Sequence, residues 1–246
     1  MSDGRPRPSG DRVAGIDVDR IPPEPSVLIS ALARALAAVH DGAAPDAASD
    51  SASGGAGPAT TAHDGAPGME ELRPVDALEL VEEAVTAGWE PPPGSPYAPA
   101  GAGRLVEVLR DGLQRATDRS DGPVPTIGRA TFANLVLPGG DDDGDELSGA
   151  ANITFRRSPR RTEAPHFADC DDAAWSDPYR DLAVAAADVV ATFGPGAVLG
   201  FTAAYAAARP TIEPVDPIRL DWWSIVAAVI GSDRSDRTGA RGSEGS

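Results

Sequence analysis

The chain has 246 residues, and its 21 basic and 38 acidic residues give a formal net charge of -17. Every basic residue is an arginine, so a Walker A phosphate loop, a Schiff base and a lysine general base are excluded. The negative charge disfavours general binding to nucleic acid. The excess of aspartate over glutamate, 26 to 12, indicates a GC-rich genome or adaptation to high salt.

The location of the protein is inferred from its cysteine and its apolar segments. The single cysteine, Cys170, excludes an intramolecular disulfide framework and fits a reducing interior. No apolar signal region opens the chain, so a cytoplasmic protein is predicted, or a virion protein if it belongs to an assembled particle. Residues 182–208 are long enough to span a membrane, but Asp188 and the break at Gly194-Pro195-Gly196 favour two soluble helices instead.

The first third of the chain alternates between polar segments and one helix. Residues 1–20 are predicted to be a disordered arm, and the low-complexity residues 43–68 a flexible linker. Between them, residues 21–42 contain leucines and a valine at helical spacing, which predicts a tethered amphipathic helix. Two roles stay open for this helix: a docking peptide for a partner, or an outlying piece of the core.

Residues 69–231 are predicted to form the compact domain, followed by a disordered tail, 232–246. Helices are expected at 74–87, 104–117, 178–193, 197–208 and 217–230 from their apolar periodicity and their Pro and Gly boundaries. Alternating residues at 126–137 and 147–157 predict two strands that form an antiparallel hairpin. The fold class is therefore α+β, a small antiparallel sheet packed by four or five helices.

The sequence contains no complete motif for a metal or a cofactor. The acidic residues 141–146 lack the end positions of a calcium loop, so a solvated loop is the better interpretation. His166 and Cys170 lie four residues apart beside three aspartates, yet one histidine and one cysteine make a poor zinc site or nucleophilic pair. The sequence therefore predicts no catalytic residue, no metal, no cofactor and no small-molecule ligand.

Two clusters are candidates for binding a protein partner. Four arginines lie within six residues, Arg156, Arg157, Arg160 and Arg161. They offer bidentate contacts to an anion, or they neutralise the acidic loops around them. Trp222 and Trp223 are adjacent on a predicted helix and point about 100° apart. One of the two is expected to anchor the core and the other to lie at a surface or a contact, where tryptophan is often a binding hot spot. The favoured alternative is a partly buried core tryptophan.

These observations predict a non-enzymatic structural or assembly protein that contacts a protein partner or forms a homo-oligomer. A virion neck or tail component falls inside this class. The first alternative is a regulatory adaptor that uses the tethered helix or the arginine cluster. The second alternative is an enzyme without a recognisable motif.

Overall fold

The computed structural model describes residues 24–42, 71–118, 122–138, 147–148, 154–157, 164–168 and 173–240. The predicted arm (1–20), the predicted linker (43–68) and residues 241–246 of the predicted tail lie outside these ranges. The described residues form six helices, α1 Pro25–His40, α2 Pro74–Thr86, α3 Ala102–Thr117, α4 Tyr179–Phe193, α5 Val198–Ala208 and α6 Pro217–Ala240. They also form seven short strands, β1 Glu71–Leu72, β2 Val124–Thr126, β3 Leu135–Leu137, β4 Leu147–Ser148, β5 Thr154–Arg157, β6 His166–Phe167 and β7 Ala174–Ser176.

The strands make two small sheets, in the orders β1-β7-β2 and β4-β5-β3-β6. The α+β class is confirmed, and the six helices are the tethered helix and the five helices predicted within residues 69–231. The predicted antiparallel hairpin between residues 126–137 and 147–157 does not form, because β3 and β5, which lie in these two segments, pair in parallel. Strand β4 lies between them in the chain and pairs antiparallel with β5, so the chain reverses once more before β5 forms.

Helix α1 is part of the core. Pro25 occupies its first turn, where the missing N–H costs no hydrogen bond. Leu28, Leu32 and Leu36 recur every four residues and are all buried, and the helix packs against α5. The sequence left two roles open for this helix, and the structure shows that it is a piece of the core.

Helix α6 lies at the centre of the helical layer, in contact with α2, α3 and α4. Its two tryptophans are both buried, Trp222 4% and Trp223 1% exposed. The expectation that one of them lies at a contact surface is therefore wrong, since helices on several sides cover both directions. The helix also continues past Gly231 to Ala240, where a tail was predicted.

Helices α4 and α5 are separate, as the Gly-Pro-Gly sequence predicts. Gly194 adopts a φ of 85°, which favours glycine, and a 3₁₀ turn at Pro195–Ala197 leads into α5. None of the helices in the described part of the chain is long and apolar enough to cross a bilayer.

Two glycines of α3 provide a test of the packing between α3 and α6. A Cβ at Gly112 would lie 2.8 Å from Cδ1 of Trp222. Gly112→Ala is therefore expected to lower the free energy of unfolding by about 1–3 kcal/mol through overpacking, although alanine favours a helix. Gly103 is exposed in the same helix with nothing near its Cβ position, so Gly103→Ala should raise it by about 0.5–1 kcal/mol. Urea unfolding of both variants checks the sign of each change. Stabilisation by both substitutions would contradict the close packing of Gly112 against Trp222.

Candidate functional site

The chain between β2 and β3, residues 127–134, forms a turn that ends in a 3₁₀ helix at Phe132–Asn134, and is called here the central turn. Asp181 of α4 accepts hydrogen bonds from the backbone N–H groups of Ile127, at 2.8 Å, and Gly128, at 2.7 Å. The Asp181 side chain is fully buried. A buried carboxylate that accepts two backbone N–H groups makes strong, charge-assisted bonds, so this end of the turn is fixed.

The other end of the central turn is fixed by three more bonds. Asp188, two turns further along α4, accepts a hydrogen bond from Phe132 N at 2.7 Å. Burial raises the pKa of Asp188 above its usual value, and the bond from Phe132 N–H works in the opposite direction. The Asn134 amide donates to the Arg129 carbonyl at 3.1 Å, and Ala168 N–H donates to the Asn134 carbonyl at 2.9 Å. The turn is therefore a preorganised backbone.

Behind the central turn lies a buried polar network that joins α1, α4 and α5. His40 Nδ1 is 2.7 Å from the Tyr205 hydroxyl, and its Nε2 is 3.4 Å from the Asp181 carboxylate. These two contacts place the imidazole of His40 between the tyrosine hydroxyl and the carboxylate. Arg209 donates to the Tyr205 hydroxyl at 2.8 Å and to Asp41 at 2.8 Å. The network ties the turn to the end of helix α1.

Two cavities border the central turn, and Gly128 lines both. The first, called the acidic cavity, has a volume of about 880 Å³ and includes the side chains of Glu79 and Glu83. The indole Nε1 of Trp223 is buried in its wall and makes no hydrogen bond to the described residues. The second, called the apolar cavity, has a volume of about 960 Å³ and is also bordered by Arg129.

Part of the negative charge of the acidic cavity is neutralised locally. Arg73 binds the carboxylate of Asp76 at 2.8 Å and 2.7 Å, and these hydrogen bonds lower the pKa of Asp76. Glu79 and Glu83 are exposed, with neither a hydrogen bond nor an ion pair to the described residues through their side chains.

The sequence-predicted residues do not meet at this site. Arg156 and Arg157 lie on β5, opposite Val136 and Leu137 of β3, while Arg160 and Arg161 lie outside the described residues. Trp222 faces α3, and Trp223 lines the acidic cavity. His166 lies on β6, and Cys170 with its aspartates lies outside the described ranges. Within those ranges, no group of three or more His, Cys, Asp or Glu side chains is placed to hold a metal ion.

Sequence reasoning missed the two carboxylates that hold the turn. Asp181 and Asp188 are seven residues apart, so they share one face of α4, in a helix otherwise rich in Ala and Val. A carboxylate in an apolar helix face is rarely buried unless it has a partner. Two aspartates seven residues apart on an apolar helix face could therefore have predicted a buried polar contact.

No protein-family model matches the chain, and no curated protein matches it in sequence. Among solved structures, it is similar to the aminoglycoside phosphotransferase APH(3'')-Id from Streptomyces rimosus, determined in complex with ADP and streptomycin. The match has a TM-score of 0.53 at 16% identity and covers 87% of this chain and 67% of that one. The chain therefore has a fold similar to that of a phosphotransferase.

This likeness corrects the function predicted from the sequence. A non-enzymatic structural or assembly protein, with the virion neck or tail as an example, is the wrong prediction, because the fold is similar to that of an enzyme. The residues had given no sign of it, since no phosphate-binding motif is present in the chain. The enzyme without a recognisable motif, kept as an alternative, is better supported.

Proposed function

We propose that the protein is a phosphotransferase, which moves a phosphoryl group from a nucleoside triphosphate to a small molecule. The observation that carries the proposal is the structural likeness over 87% of the chain to an enzyme whose structure contains ADP and streptomycin. Those two ligands define the classes of donor and acceptor to test. A fold alone does not fix a reaction, so the proposal also depends on what the site can do.

The central turn is the proposed place of transfer. In protein kinases, the loop that accepts the hydroxyl proton of the substrate places an aspartate five residues before an asparagine. The central turn has the same spacing between Arg129 and Asn134. Its backbone is held by the buried carboxylate of Asp181 and the half-buried carboxylate of Asp188, as a group that must be positioned to within a fraction of an ångström requires.

The residue at the aspartate position here is an arginine, and this changes the chemistry. A guanidinium stays charged and accepts no proton, so Arg129 does not act as a general base. Phosphoryl transfer passes through a loose transition state and depends mainly on positioning and electrostatic stabilisation. Arg129 is exposed at the edge of the apolar cavity, where its N–H groups can meet phosphoryl oxygens. Its proposed role is to stabilise the charge on the transferring group.

The transfer step balances without a protein base. The acceptor oxygen forms a bond to the γ-phosphorus, and the bond from this phosphorus to the bridging oxygen breaks, its electron pair leaving on the nucleoside diphosphate. The proton of the acceptor hydroxyl passes to solvent. Without a positioned base the reaction is expected to be slow, since general base catalysis contributes about 10²–10⁴-fold where it operates.

Magnesium ordinarily takes part in phosphoryl transfer, held by one or two side chains together with the phosphates of the substrate. Beside the turn, the described residues offer the side-chain oxygen of Asn134, whose amide nitrogen donates to the Arg129 carbonyl. The described ranges contain no group of three or more metal-ligating side chains. Among the described residues, Arg129 and the fixed backbone of the turn are proposed to stabilise the transferring group.

The test is the formation of ADP from ATP by the purified full chain, measured with and without a panel of small hydroxylated acceptors that includes streptomycin. We expect acceptor-dependent ADP formation, and a loss of kcat/KM of about 10²-fold or more for Arg129→Ala. Arg129→Lys should keep part of the rate, since the charge remains while the bidentate geometry is lost. Arg104→Ala is the matched control, because Arg104 is exposed on α3 and pairs with Glu107.

Two results would contradict the proposal. One is the absence of acceptor-dependent ADP formation across the panel with folded wild-type protein. The other is equal loss of activity in Arg129→Ala and Arg104→Ala, which would assign the effect to net charge and not to the turn.

A further inference from the structure

Arg209 lies directly after α5, at the surface end of the buried polar network. Its side chain is 8% exposed and donates to two groups, the Asp41 carboxylate at the end of α1 and the Tyr205 hydroxyl. The Asp41 side chain is 54% exposed, so solvent screens part of this ion pair. The contact with Tyr205 lies inside the protein, and it is the one that leads towards the central turn.

The Tyr205 hydroxyl accepts a hydrogen bond on one side and contacts an imidazole on the other. A guanidinium only donates, so the phenolic oxygen accepts from Arg209 at 2.8 Å. His40 Nδ1 lies 2.7 Å from the same oxygen, and one of these two atoms carries the proton between them. Hydrogen bonds in a row polarise one another, so an oxygen that accepts from a cation becomes a stronger O–H donor. The Tyr205 O–H is therefore directed at Nδ1.

The second ring nitrogen of His40 faces a carboxylate. Its Nε2 lies 3.4 Å from Oδ2 of Asp181, which also accepts the Ile127 N–H at 2.8 Å. A bare Nε2 would place its lone pair against the lone pairs of this oxygen, whereas Nε2–H gives an attractive contact. Both ends of the ring therefore favour the same tautomer, with the proton on Nε2.

This direction of the hydrogen bonds depends on the guanidinium. Without it, the Tyr205 oxygen is able to accept from Nδ1–H of His40, and the imidazole can then adopt the other tautomer. The Nε2 lone pair of that tautomer faces Asp181 and weakens the support of the carboxylate. The carboxylate in turn holds the first two N–H groups of the central turn.

We infer that Arg209 is a positioning residue for the central turn. Its guanidinium orients the Tyr205 hydroxyl, and this hydroxyl selects the Nε2–H tautomer of His40. The imidazole N–H then supports the carboxylate of Asp181. On the proposed function, on which this part of the inference rests, the effect reaches Arg129, the residue directly after the backbone N–H that the carboxylate holds.

Nitrogen chemical shifts of the imidazoles test the tautomer, measured on the full chain labelled with nitrogen-15 histidine near neutral pH. We expect His40 to have a protonated Nε2 and an unprotonated Nδ1. The chain contains three histidines, and the signals of the other two are assigned by their loss in His63→Gln and His166→Gln. Arg209→Met keeps an unbranched side chain without donors, so the Nδ1–H tautomer should appear. Arg209→Lys keeps a donor and should keep the wild-type tautomer.

Amide hydrogen exchange shows whether the tautomer acts on the central turn. In Arg209→Met, the N–H of Gly128 should exchange about fivefold faster, as expected when one hydrogen bond is weakened. The N–H of Phe132 is the internal reference, because it binds Asp188 at the other end of the turn and should keep its rate. A loss of global stability would accelerate both amides.

Enzyme activity is the measurement that depends on the proposed function. Arg209→Met should lower kcat for ADP formation about tenfold and leave the KM for ATP unchanged, since a displaced Arg129 stabilises the transferring group less well. Arg209→Lys should keep most of the rate. Arg110→Met is the matched control, because Arg110 is an exposed arginine of α3 that pairs with Glu82, and it should change none of the three measurements.

Three results overturn the inference. They are an imidazolium or an Nδ1–H tautomer at His40 in the wild type, wild-type nitrogen shifts in folded Arg209→Met, and equal acceleration of exchange at both ends of the turn. The spectrum of the wild type decides the first of these even where Arg209→Met does not fold. Absence of ADP formation contradicts the phosphotransferase, and the spectrum and the exchange rates then still decide the role of Arg209.

Discussion

Asp181→Ala is expected to lower the free energy of unfolding by about 3 kcal/mol, because the buried N–H group of Ile127 and the half-buried N–H group of Gly128 both lose their acceptor. Each buried donor without a partner costs roughly 1–3 kcal/mol. His40 loses the carboxylate beside its Nε2 as well, which removes one link of the buried network. The central turn is then no longer fixed to α4 at its start.

Urea unfolding followed by circular dichroism measures this effect. Asp181→Asn should fall between the wild type and Asp181→Ala, because its amide oxygen accepts one N–H while its amide nitrogen faces the other. Asp118→Ala is the control, since Asp118 is exposed at the end of α3 and should change stability by no more than about 0.5 kcal/mol. A loss below 1 kcal/mol in Asp181→Ala would show that the carboxylate does not hold the turn.

Trp222→Ala is expected to lower the free energy of unfolding by about 3–5 kcal/mol, the range for a fully buried aromatic side chain. The ring packs against Gly112 of α3, and its Nε1–H donates to the Leu109 carbonyl at 2.8 Å. It also meets the ring of Trp223 edge to face, with centroids 5.1 Å apart. The alanine variant leaves a cavity between α3 and α6.

Thermal and urea unfolding of two further variants test whether the loss of stability comes from removing a large side chain from a buried position. Trp222→Phe keeps an aromatic ring and should cost less than Trp222→Ala. Leu199→Ala removes a side chain that is 78% exposed and should change stability by no more than about 0.5 kcal/mol. Equal effects of Trp222→Ala and Leu199→Ala would place Trp222 at a surface, as the sequence had suggested for one member of the pair.

The candidate site shows the limit of local sequence patterns. A binding site was predicted where four arginines lie close together in the sequence, at Arg156, Arg157, Arg160 and Arg161. Arg129, in contrast, has only small and apolar neighbours in the sequence. Its position matters because a carboxylate 52 residues later, Asp181, holds the adjacent backbone. Contacts over such separations leave no local periodicity, so spacing rules do not report them.

The sequence by itself determined the helices and the class of the fold. Apolar residues at helical spacing and Pro or Gly boundaries located all six helices of the described residues, since these signals act within a few residues. Tertiary structure decided the rest. It placed α1 in the core, buried both Trp222 and Trp223, and paired β3 with β5 in parallel. These features depend on which faces of the helices and strands pack together, and residues far apart in the sequence determine that packing.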